Sequence, residues 1–450
     1  MEQMDSTVIA TSLPSIAADI GTEPIALKLA LTSYFVALAI FIPISGWMSD
    51  KYGARNIFRL AIFVFVLGSI ACAFSGSLES FVISRFFQGM GASMMTPVGR
   101  LLLVRSTPRS ELINAMAWLT IPSLVGPIAG PPVGGFLTTY LSWHWIFWIN
   151  VPFGIAGILL AGKFLPVTDE RNPRPIDFAG FVLSSIAFSG TVFGLSVISL
   201  PAIPIVYGYL TLAVGLTSGV LYLLHAKRTE FPLLDPKMFR YPLFRAAAIG
   251  GSTFRIGIGA IPFLLPLMLQ LGFGLTPFES GMITFISAMG AMFSKFFTQR
   301  IFAAFGFPRV LSIGALVSGI FIIVNGFFFP TTPVWIIMVC LLAGGIFRSM
   351  LFTGVNAMSF GDVDEADMSQ ATAINAVMQQ LTQALGVALA GGILSVLVGI
   401  HGGDLRLADF HIAFWIVGTV SATATLVFLR LPADAGKEVS GHKQRELAKS

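Results

Sequence analysis

Residues 46–56 read GWMSDKYGARN, a short polar run between two long apolar stretches. Two glycines in this run allow two helix ends to approach closely around a tight turn. An acid at a helix end can meet the helix dipole or a nearby basic side chain. We interpret the run as a charged hairpin that latches two helices, with an ordinary basic loop beside a membrane as the alternative. The residues that carry this interpretation are Gly46, Asp50, Lys51, Gly53 and Arg55.

The composition predicts an integral membrane protein. Apolar residues make up 55% of the 450 residues and only 11% are charged, whereas a soluble domain is about 25% charged. Apolar runs recur along the whole chain, each near the ~20 residues that cross a bilayer as a helix. The runs are continuous rather than alternating, which argues against membrane strands. The 46 glycines are typical of helices that pack closely in membranes.

Cysteine usage and net charge exclude other classes. Cys72 and Cys340 lie inside separate apolar runs and are interpreted as small packing residues. Two isolated thiols predict neither a disulfide framework nor a metal site. The net charge of +5 is spread over many short loops, so we expect no nucleic-acid binding.

Hydropathy predicts fourteen membrane spans. The predicted spans are 1–19, 27–48, 57–75, 80–104, 112–139, 145–164, 177–198, 203–225, 245–271, 280–299, 309–329, 334–358, 370–399 and 409–430. One set of alternate loops holds nearly all the Lys and Arg residues, and the other holds only Lys28 and Arg406. Because basic loops face the cytoplasm, both termini are predicted to be cytoplasmic. The acidic loop 361–369 falls on the same side. Acidic residues have little influence on membrane orientation, so this loop does not change the assignment.

The first predicted span is unusually short. Met1 is followed by Glu2 and Asp5, and the apolar stretch ends near Ala18. A helix of this length barely crosses a bilayer. No basic segment precedes an apolar core, so no cleavable signal is predicted. We expect the first helix to be truncated, because either the chain is shortened or translation begins upstream.

Three segments together point to one family. GWMSDKYGAR at 46–55 resembles the loop motif between spans two and three of the major facilitator superfamily. RFFQGMGA at 85–92 resembles its fourth-span motif, and GPIAGPPVGG at 126–135 resembles the Gly-Pro motif of its antiporters. MDSTVIATSLPSIA at 4–17 and SWHWIFWINVPFG at 142–154 are similar to the fourteen-span drug:proton antiporter branch, the EmrB/QacA type.

The segment RIGIGAIPFLLPLMLQLGFG at 255–274 narrows the resemblance towards the MdtD-like group of multidrug exporters. The resemblance implies an all-helical fold of two six-helix bundles around a central cavity, with two inserted spans. The implied domains are an N-terminal bundle (1–164), two inserted helices (165–226), a cytoplasmic amphipathic linker (227–245), a C-terminal bundle (246–432) and a cytoplasmic tail (433–450). The linker mixes basic residues with Phe, as in a helix on a membrane surface.

Ionisable residues inside membrane spans are rare and usually functional. In the family the cavity is lined mainly by spans one, four, nine and twelve. Six of the seven intramembrane ionisable residues fall on those spans, Lys295 being the exception. The seven residues are Glu2, Asp5, Arg85, Arg100, Arg255, Lys295 and Arg348.

Asp5 is the leading candidate for proton coupling. A carboxyl group in a low-dielectric cavity can take up and release protons near neutral pH, and the matching family position couples protons to export. Glu2 lies one turn earlier on roughly the same face and is a second candidate. Arg85 begins the fourth-span motif, which also contains Gln88, Gly89 and Gly91, and resembles a residue linked to proton transfer. A helix cap for Asp5 and a structural pairing for Arg85 are the alternatives.

The remaining cavity candidates are less specific. Arg255 and Arg348 lie near the middle of their spans and are expected to pair with an acid or to receive anionic substrate groups. Arg100 and Lys295 lie closer to the cytoplasmic ends of their spans. Their long side chains can extend to the membrane interface, so we interpret both as structural. Tyr34 and Asn356 complete the candidates for the cavity wall.

The span-five motif is interpreted mechanically. Its glycines remove side chains from one helix face and permit close packing. Its prolines break backbone hydrogen bonds and bend the span. A bent, tightly packed helix limits leak through the cavity. The motif residues are Gly126, Gly130, Pro131, Gly134 and Gly135.

These observations predict a secondary transporter of a bacterial inner membrane that exports amphipathic drugs or other toxic small molecules in exchange for protons. Its partners are then the substrate, protons and membrane lipid, with no metal or cofactor beyond the proton gradient, and whether it needs a periplasmic adaptor is left open. A facilitator-fold carrier for one specific metabolite is the alternative, because five intramembrane bases against two acids suit an anionic solute. A membrane enzyme is not expected, since no metal cluster, nucleophile elbow or phosphate loop is visible.

Overall fold

The computed structural model of the protein describes residues 2–106, 126, 129–165, 175–198, 204–364, 367–403, 405–432 and 435–436. All regular secondary structure in these residues is helical. The chain divides into two compact units. The first unit comprises Met1–Leu233 and Leu275–Met282, and the second comprises Leu234–Gly274 and Ile283–Ser450.

The first unit is built from eleven helices in its described residues. They are α1 (Glu2–Val8), α2 (Leu13–Asp19), α3 (Lys28–Phe41), α4 (Ser45–Tyr52), α5 (Ala54–Ala73), α6 (Leu78–Ser106), α7 (129–140), α8 (Trp145–Trp148), α9 (Asn150–Phe164), α10 (Phe178–Ile198) and α11 (Ile205–Ala226).

Two predicted spans of the first unit are interrupted. The expected span 1–19 consists of α1 and α2 with a 3₁₀ turn, Ile9–Thr11, between them. Pro14 lies in the first turn of α2, where its missing N–H costs nothing. The expected span 27–48 divides into α3 and α4 at residues 42–44, where Pro43 removes a backbone donor.

The core of the first unit lies where α5 and α6 meet. Ala54, Ile57 and Ala61 of α5 pack against Met94 and Val98 of α6. The small residues allow the two helices to lie close together, as is usual in membranes. This close packing positions the polar side chains described below.

The second unit holds the remaining helices of the described residues. They are α12 (Pro242–Leu267), α13 (Pro277–Ser294, shared at its start with the first unit), α14 (Thr298–Phe305), α15 (Phe307–Asn325), α16 (Val334–Met358), α17 (Met368–His401), α18 (Leu407–Ala422) and α19 (Ala424–Phe428). A π-helical turn, Met268–Gly272, extends α12. Its core includes Phe254, Leu311, Leu351 and Phe428.

The linker 227–245 differs from the predicted surface helix. Its own helical segment is a short 3₁₀ turn, Pro236–Arg240, and α12 begins at Pro242. Pro232 and Pro236 each remove a backbone donor, so a continuous helix cannot form here. The mixture of basic and aromatic residues was therefore misleading about local structure.

Nine helices within the described residues are long and apolar enough to cross a membrane. They are Ala54–Ala73, Trp145–Phe164, Phe178–Leu195, Val206–Ala226, Pro242–Gly272, Phe307–Asn325, Val334–Met358, Ala373–His401 and Leu407–Phe428. The predicted multi-pass, all-helical class is confirmed. The count of fourteen and the truncation of the first helix stay predictions, and residues 112–125, 127 and 128 of the expected fifth span lie outside the described part.

Candidate functional site

Asp5 is buried in the first unit and forms an ion pair with Arg85. The carboxylate comes from α1 and the guanidinium from α6, with 2.6 Å between Asp5 Oδ2 and Arg85 Nη1. Only 4% of Asp5 and 1% of Arg85 are exposed. Little solvent screens an ion pair this deeply buried, so the two charges are strongly coupled. The structure thus brings together two of the three residues predicted for proton coupling.

Two neutral amides complete the surroundings of the Asp5 carboxylate. Gln88 Nε2 donates to Asp5 Oδ1 at 2.8 Å, and Asn150 Nδ2 donates to the same oxygen at 3.0 Å. With Arg85 the carboxyl group accepts three hydrogen bonds. An ionised carboxylate only accepts, so three converging donors match the charged form of Asp5.

Ser69 of α5 supports both amides from behind. Its Oγ accepts from Asn150 Nδ2 at 3.0 Å and from Gln88 Nε2 at 3.3 Å. The same hydroxyl donates to the backbone carbonyl of Phe147 at 3.0 Å. Side chains of four helices therefore meet in one connected cluster, the Asp5 network, whose members are Asp5, Ser69, Arg85, Gln88 and Asn150.

Arg85 is held by further contacts. Its Nη1 donates to Gln88 Oε1 at 2.5 Å, and its Cζ lies 4.3 Å from the centre of the Tyr34 ring. The Cys72 thiol lies 3.6 Å from the same glutamine oxygen. These contacts fix the guanidinium against the aromatic face, where a cation is attracted to the ring. Tyr34, predicted for a cavity wall, thus contacts the Asp5 network directly.

Helical spacing explains why this sequence forms the network. Arg85 and Gln88 are three residues apart on α6, and Ser69 and Cys72 are three apart on α5, so each pair shares a helix face. A Cβ at Gly68 would lie 2.5 Å from the backbone of Gln88. The missing side chain at residue 68 lets α5 approach the residue that binds Asp5.

The glycines of the fourth-span motif also mark close approaches. A Cβ at Gly89 would lie 2.7 Å from the carbonyl oxygen of Tyr34, and one at Gly91 would overlap the backbone of Phe65. The motif therefore combines two polar residues for the network with two glycines that bring α6 against α3 and α5.

The span-five motif packs α7 against the start of the chain. A Cβ at Gly130 would overlap Thr7 Oγ1, and one at Gly134 would lie 2.5 Å from the carbonyl oxygen of Val8. Gly135 is equally close to the backbone of Pro277, at 2.6 Å. The glycines therefore hold the segment next to Asp5. For Gly126 the carbonyl accepts from Thr7 Oγ1 at 3.4 Å, and Pro131 lies within α7.

The polar hairpin around residue 50 agrees only partly with its interpretation. Gly53 ends α4 with φ 83°, a conformation that favours glycine. A Cβ at Gly46 would meet nothing within 4 Å, so the expected close approach there was wrong. Lys51 is exposed, with Nζ 4.7 Å from the Trp47 ring. Arg55 donates to the carbonyl of Gly162, at the end of α9.

Three predicted side chains lie outside the described part of the structure. For Glu2, Asp50 and Arg100 only the backbone is described, in α1, α4 and α6. The proposed pairing of Asp50 with Arg55 and the second proton-coupling role of Glu2 therefore stay predictions.

The second unit contains a buried guanidinium in a different environment. Arg255 of α12 is 1% exposed, and its Nη2 donates to Asn356 Oδ1 at 2.7 Å and to Asn375 Oδ1 at 3.2 Å. Its Nε and Nη1 have no acceptor among the described residues. Its Cζ lies 5.7 Å from the centre of the Phe352 ring.

Two further bases of the second unit bind hydroxyl groups. Arg348 Nη2 donates to Ser287 Oγ at 2.6 Å, and its buried Nη1 has no acceptor among the described residues. Lys295 Nζ donates to Thr353 Oγ1 at 2.5 Å. None of the ion pairs between described residues includes Arg255, Arg348 or Lys295.

Sequence reasoning missed Ser69, Cys72 and Asn150 as members of a site. The available signal was Asn150, a strongly polar amide within an apolar aromatic run that resembled the antiporter branch. A buried amide needs hydrogen-bond partners, so its presence there indicated a polar cluster. Within the described residues no group of His, Cys, Asp or Glu side chains could hold a metal ion.

The whole sequence matches a family of transporters. The family model described as Major Facilitator Superfamily matches residues 1–259 and 247–449. The chain belongs to the major facilitator superfamily. Membership identifies a multi-pass membrane transporter of small molecules and not an enzyme. The polar loop, the fourth-span motif and the Gly-Pro motif were therefore correct guides to the family.

Curated relatives extend along the full chain. "Putative multidrug resistance protein MdtD" from Salmonella heidelberg (strain SL476) is 35% identical over 462 aligned residues, covering 99% of this chain and 96% of the relative. The protein of the same name from Salmonella typhimurium is 34% identical, with the same coverage. These relatives confirm the predicted place of the chain near the MdtD-like group of the superfamily.

Solved structures of the superfamily share the fold. A D-xylose-proton symporter aligns with a TM-score of 0.69 and 17% identity, covering 97% of this chain and 96% of that chain. The POT family transporter PepTSo aligns with a TM-score of 0.70 and 14% identity, covering 99% and 97%. At these identities the likeness concerns the fold alone.

Proposed function

We propose that this major facilitator protein is a proton-coupled antiporter that exports amphipathic drugs or other toxic small molecules by alternating access. It belongs in a bacterial inner membrane, with fourteen spans and both termini in the cytoplasm. Two facts support this proposal. The MdtD relatives carry multidrug resistance in their names, and the basic residues of the sequence lie in alternate loops. Inward movement of one proton supplies about 2.3 kcal/mol per 100 mV of membrane potential.

One observation carries the proposal: Asp5 is a buried carboxylate with a single buried cationic partner among the described residues. Protonating Asp5 removes the negative charge that neutralises Arg85. A buried cation without its counter-ion is unfavourable by several kcal/mol. Proton binding therefore destabilises the arrangement of α1 and α6 and favours another state of the transporter, while proton release restores it.

The other predicted residues take supporting roles in this proposal. Gln88 and Asn150 keep the carboxylate oriented, and Arg85 supplies its counter-charge. Glu2, one turn before Asp5, is a second site through which the proton passes. Asp50 and Arg55 form the cytoplasmic latch, and the glycines of the span-five motif limit leak.

The test is Asp5→Asn in the purified full-length protein reconstituted into liposomes. The substitution keeps the size of the side chain and removes its charge. With an imposed pH gradient, the wild-type protein is expected to move ethidium against its concentration gradient, and Asp5→Asn is expected to show no proton-driven movement. Asp19→Asn is the matched control, because Asp19 lies in the same unit with its side chain 57% exposed.

Two measurements distinguish a loss of proton coupling from a loss of activity by misfolding. Asp5→Glu keeps an acid at this position and is expected to retain part of the coupled transport. The size-exclusion profile of each variant in detergent should match that of the wild-type protein. Proton-driven efflux at the wild-type rate in correctly folded Asp5→Asn would remove Asp5 from the mechanism.

The second candidate function is a carrier for one anionic metabolite. The buried bases Arg255 and Arg348, which bind only neutral groups among the described residues, favour it. A panel of chemically unrelated cationic dyes and organic anions distinguishes the two. Competition among unrelated dyes supports multidrug export, whereas saturation by a single metabolite class supports the carrier.

A further inference from the structure

We infer that Arg255, Asn356 and Asn375 form a binding site in the second unit for the carboxylate group of an amphipathic anion. The inference rests on the proposed function only for the claim that the bound compound is then exported. The binding itself is a separate property of these residues and is tested separately below.

The first argument is the missing counter-charge. Arg255 has the same depth of burial as Arg85, at 1% exposure each. Arg85 is neutralised by Asp5 at 2.6 Å, whereas Arg255 contacts only amide oxygens in the described part of the chain. A charge in a membrane helix is costly and is usually paired or functional. An anion from outside the protein would supply the charge that the described residues around Arg255 lack.

The second argument is the number of open donors. Nε and Nη1 of Arg255 are buried and have no acceptor among the described residues, while Nη2 alone serves both asparagines. A buried donor without an acceptor is unfavourable. The planar guanidinium binds a carboxylate through two parallel hydrogen bonds, so Nη1 and Nη2 together fit this group.

The third argument concerns the asparagines. Asn375 Nδ2 donates to Asn356 Oδ1 at 3.2 Å, and that oxygen also accepts from Arg255. Both asparagines are half-buried, so the cluster reaches a partly accessible surface of the unit. An arriving carboxylate can replace the amide oxygens as acceptor and receive a further hydrogen bond from the Asn356 amide nitrogen.

The fourth argument defines the rest of the ligand. The Phe352 ring lies 5.7 Å from the guanidinium carbon, and Val355 borders Gly251 on the same side. An aromatic ring and aliphatic side chains next to a cation suit a molecule with one anionic end and one flat apolar part. A small polar acid would leave the half-buried Phe352 ring uncovered, whereas Val355 is already buried in the core.

The test is equilibrium binding of two fluorescent probes to the full-length protein in detergent. Dansylglycine carries a naphthalene ring and a carboxylate, and dansylglycinamide is its neutral counterpart. The wild-type protein is expected to bind the acid more tightly than the amide. In Arg255→Gln, the Kd of dansylglycine is expected to rise about 10- to 100-fold, because hydrogen bonds to a charged group are lost. The Kd of dansylglycinamide should not change.

Two variants guard against an effect on folding. Asn375→Asp places an internal counter-ion next to Arg255 and should keep the fold. The new carboxylate competes with the carboxylate of the probe, so the Kd of dansylglycine should rise at least about tenfold. Arg300→Gln removes the same type of charge from an exposed position of the same unit and should leave binding unchanged.

Three results would overturn the inference. The first is equal binding of acid and amide by the wild-type protein. The second is unchanged acid binding in both Arg255→Gln and Asn375→Asp. The third is displacement of the probe by phosphatidylglycerol in an Arg255-dependent way, because this result would assign the site to a lipid headgroup. If Asp5→Asn exports normally while binding still depends on Arg255, only the proposed function fails.

Discussion

Replacing Gly68 by alanine tests whether the close packing of α5 on α6 sets the geometry of the Asp5 network. A Cβ at residue 68 would lie 2.5 Å from N and Cα of Gln88. Non-bonded carbon atoms normally lie about 3.5–4.0 Å apart, so the helices must separate by about 1 Å. Two of the atoms involved belong to the backbone, so no rotation of a side chain can relieve the overlap.

The separation moves the amide that binds Asp5. The distance from Gln88 Nε2 to Ser69 Oγ is already 3.3 Å, and an added ångström removes this hydrogen bond. Overpacking costs about 1–3 kcal/mol, and a lost hydrogen bond between neutral groups costs about 0.5–1.5 kcal/mol. The better helix propensity of alanine offsets up to about 1 kcal/mol of this cost. We expect a net destabilisation of about 0.5–4.5 kcal/mol.

Thermal unfolding of the purified protein in detergent, followed by tryptophan fluorescence, measures this effect. Gly46→Ala is the matched control, because a Cβ there would meet nothing within 4 Å and Gly46 also lies within a helix. The control should unfold at or slightly above the wild-type temperature. The reasoning is refuted if Gly68→Ala unfolds at the wild-type temperature and exports at the wild-type rate.

Three further predictions use the same assays. Asn150→Leu removes one of three donors to Asp5 and should slow proton-driven efflux about tenfold, with Asn150→Gln less affected. Gly134→Ala places a Cβ 2.5 Å from a carbonyl oxygen of α1 and should cost about 1–3 kcal/mol in unfolding free energy. Asp362→Ala removes the carboxylate that accepts from the first amides of α12 at 2.7 and 3.3 Å, and should cost about 0.5–2 kcal/mol. Asp364→Ala, which loses only an exposed hydroxyl contact, should change stability by less than about 0.5 kcal/mol.

The sequence alone predicted the fold class and two partners of the site. Long continuous apolar runs have one stable arrangement in a bilayer, the helix, so this prediction follows from backbone hydrogen bonding. Asp5 and Arg85 were recognised because charges are rare in such runs. The glycines of the span-five motif predicted close packing, and the structure shows which backbones Gly134 and Gly135 approach.

Other features needed three-dimensional information. Gly46 and Gly53 look equivalent in the hairpin motif, yet only Gly53 has a positive φ and neither the motif nor its spacing distinguishes them. Asn150 lies in an aromatic run that resembles an interfacial belt, and its role depends on a residue 145 positions earlier. The prolines of the linker override its amphipathic composition because they remove backbone donors.

Counting charges in the sequence could not show which bases lack a partner. Five intramembrane bases against two acids left every pairing open. The structure pairs the acid Asp5 with Arg85. A buried charge without a counter-ion is unfavourable, and this rule has opposite consequences in the two units. In the first, a built-in carboxylate makes the buried cation stable until a proton arrives. In the second, Arg255 contacts only neutral amides among the described residues, and the anion that we propose as its ligand would supply the missing charge.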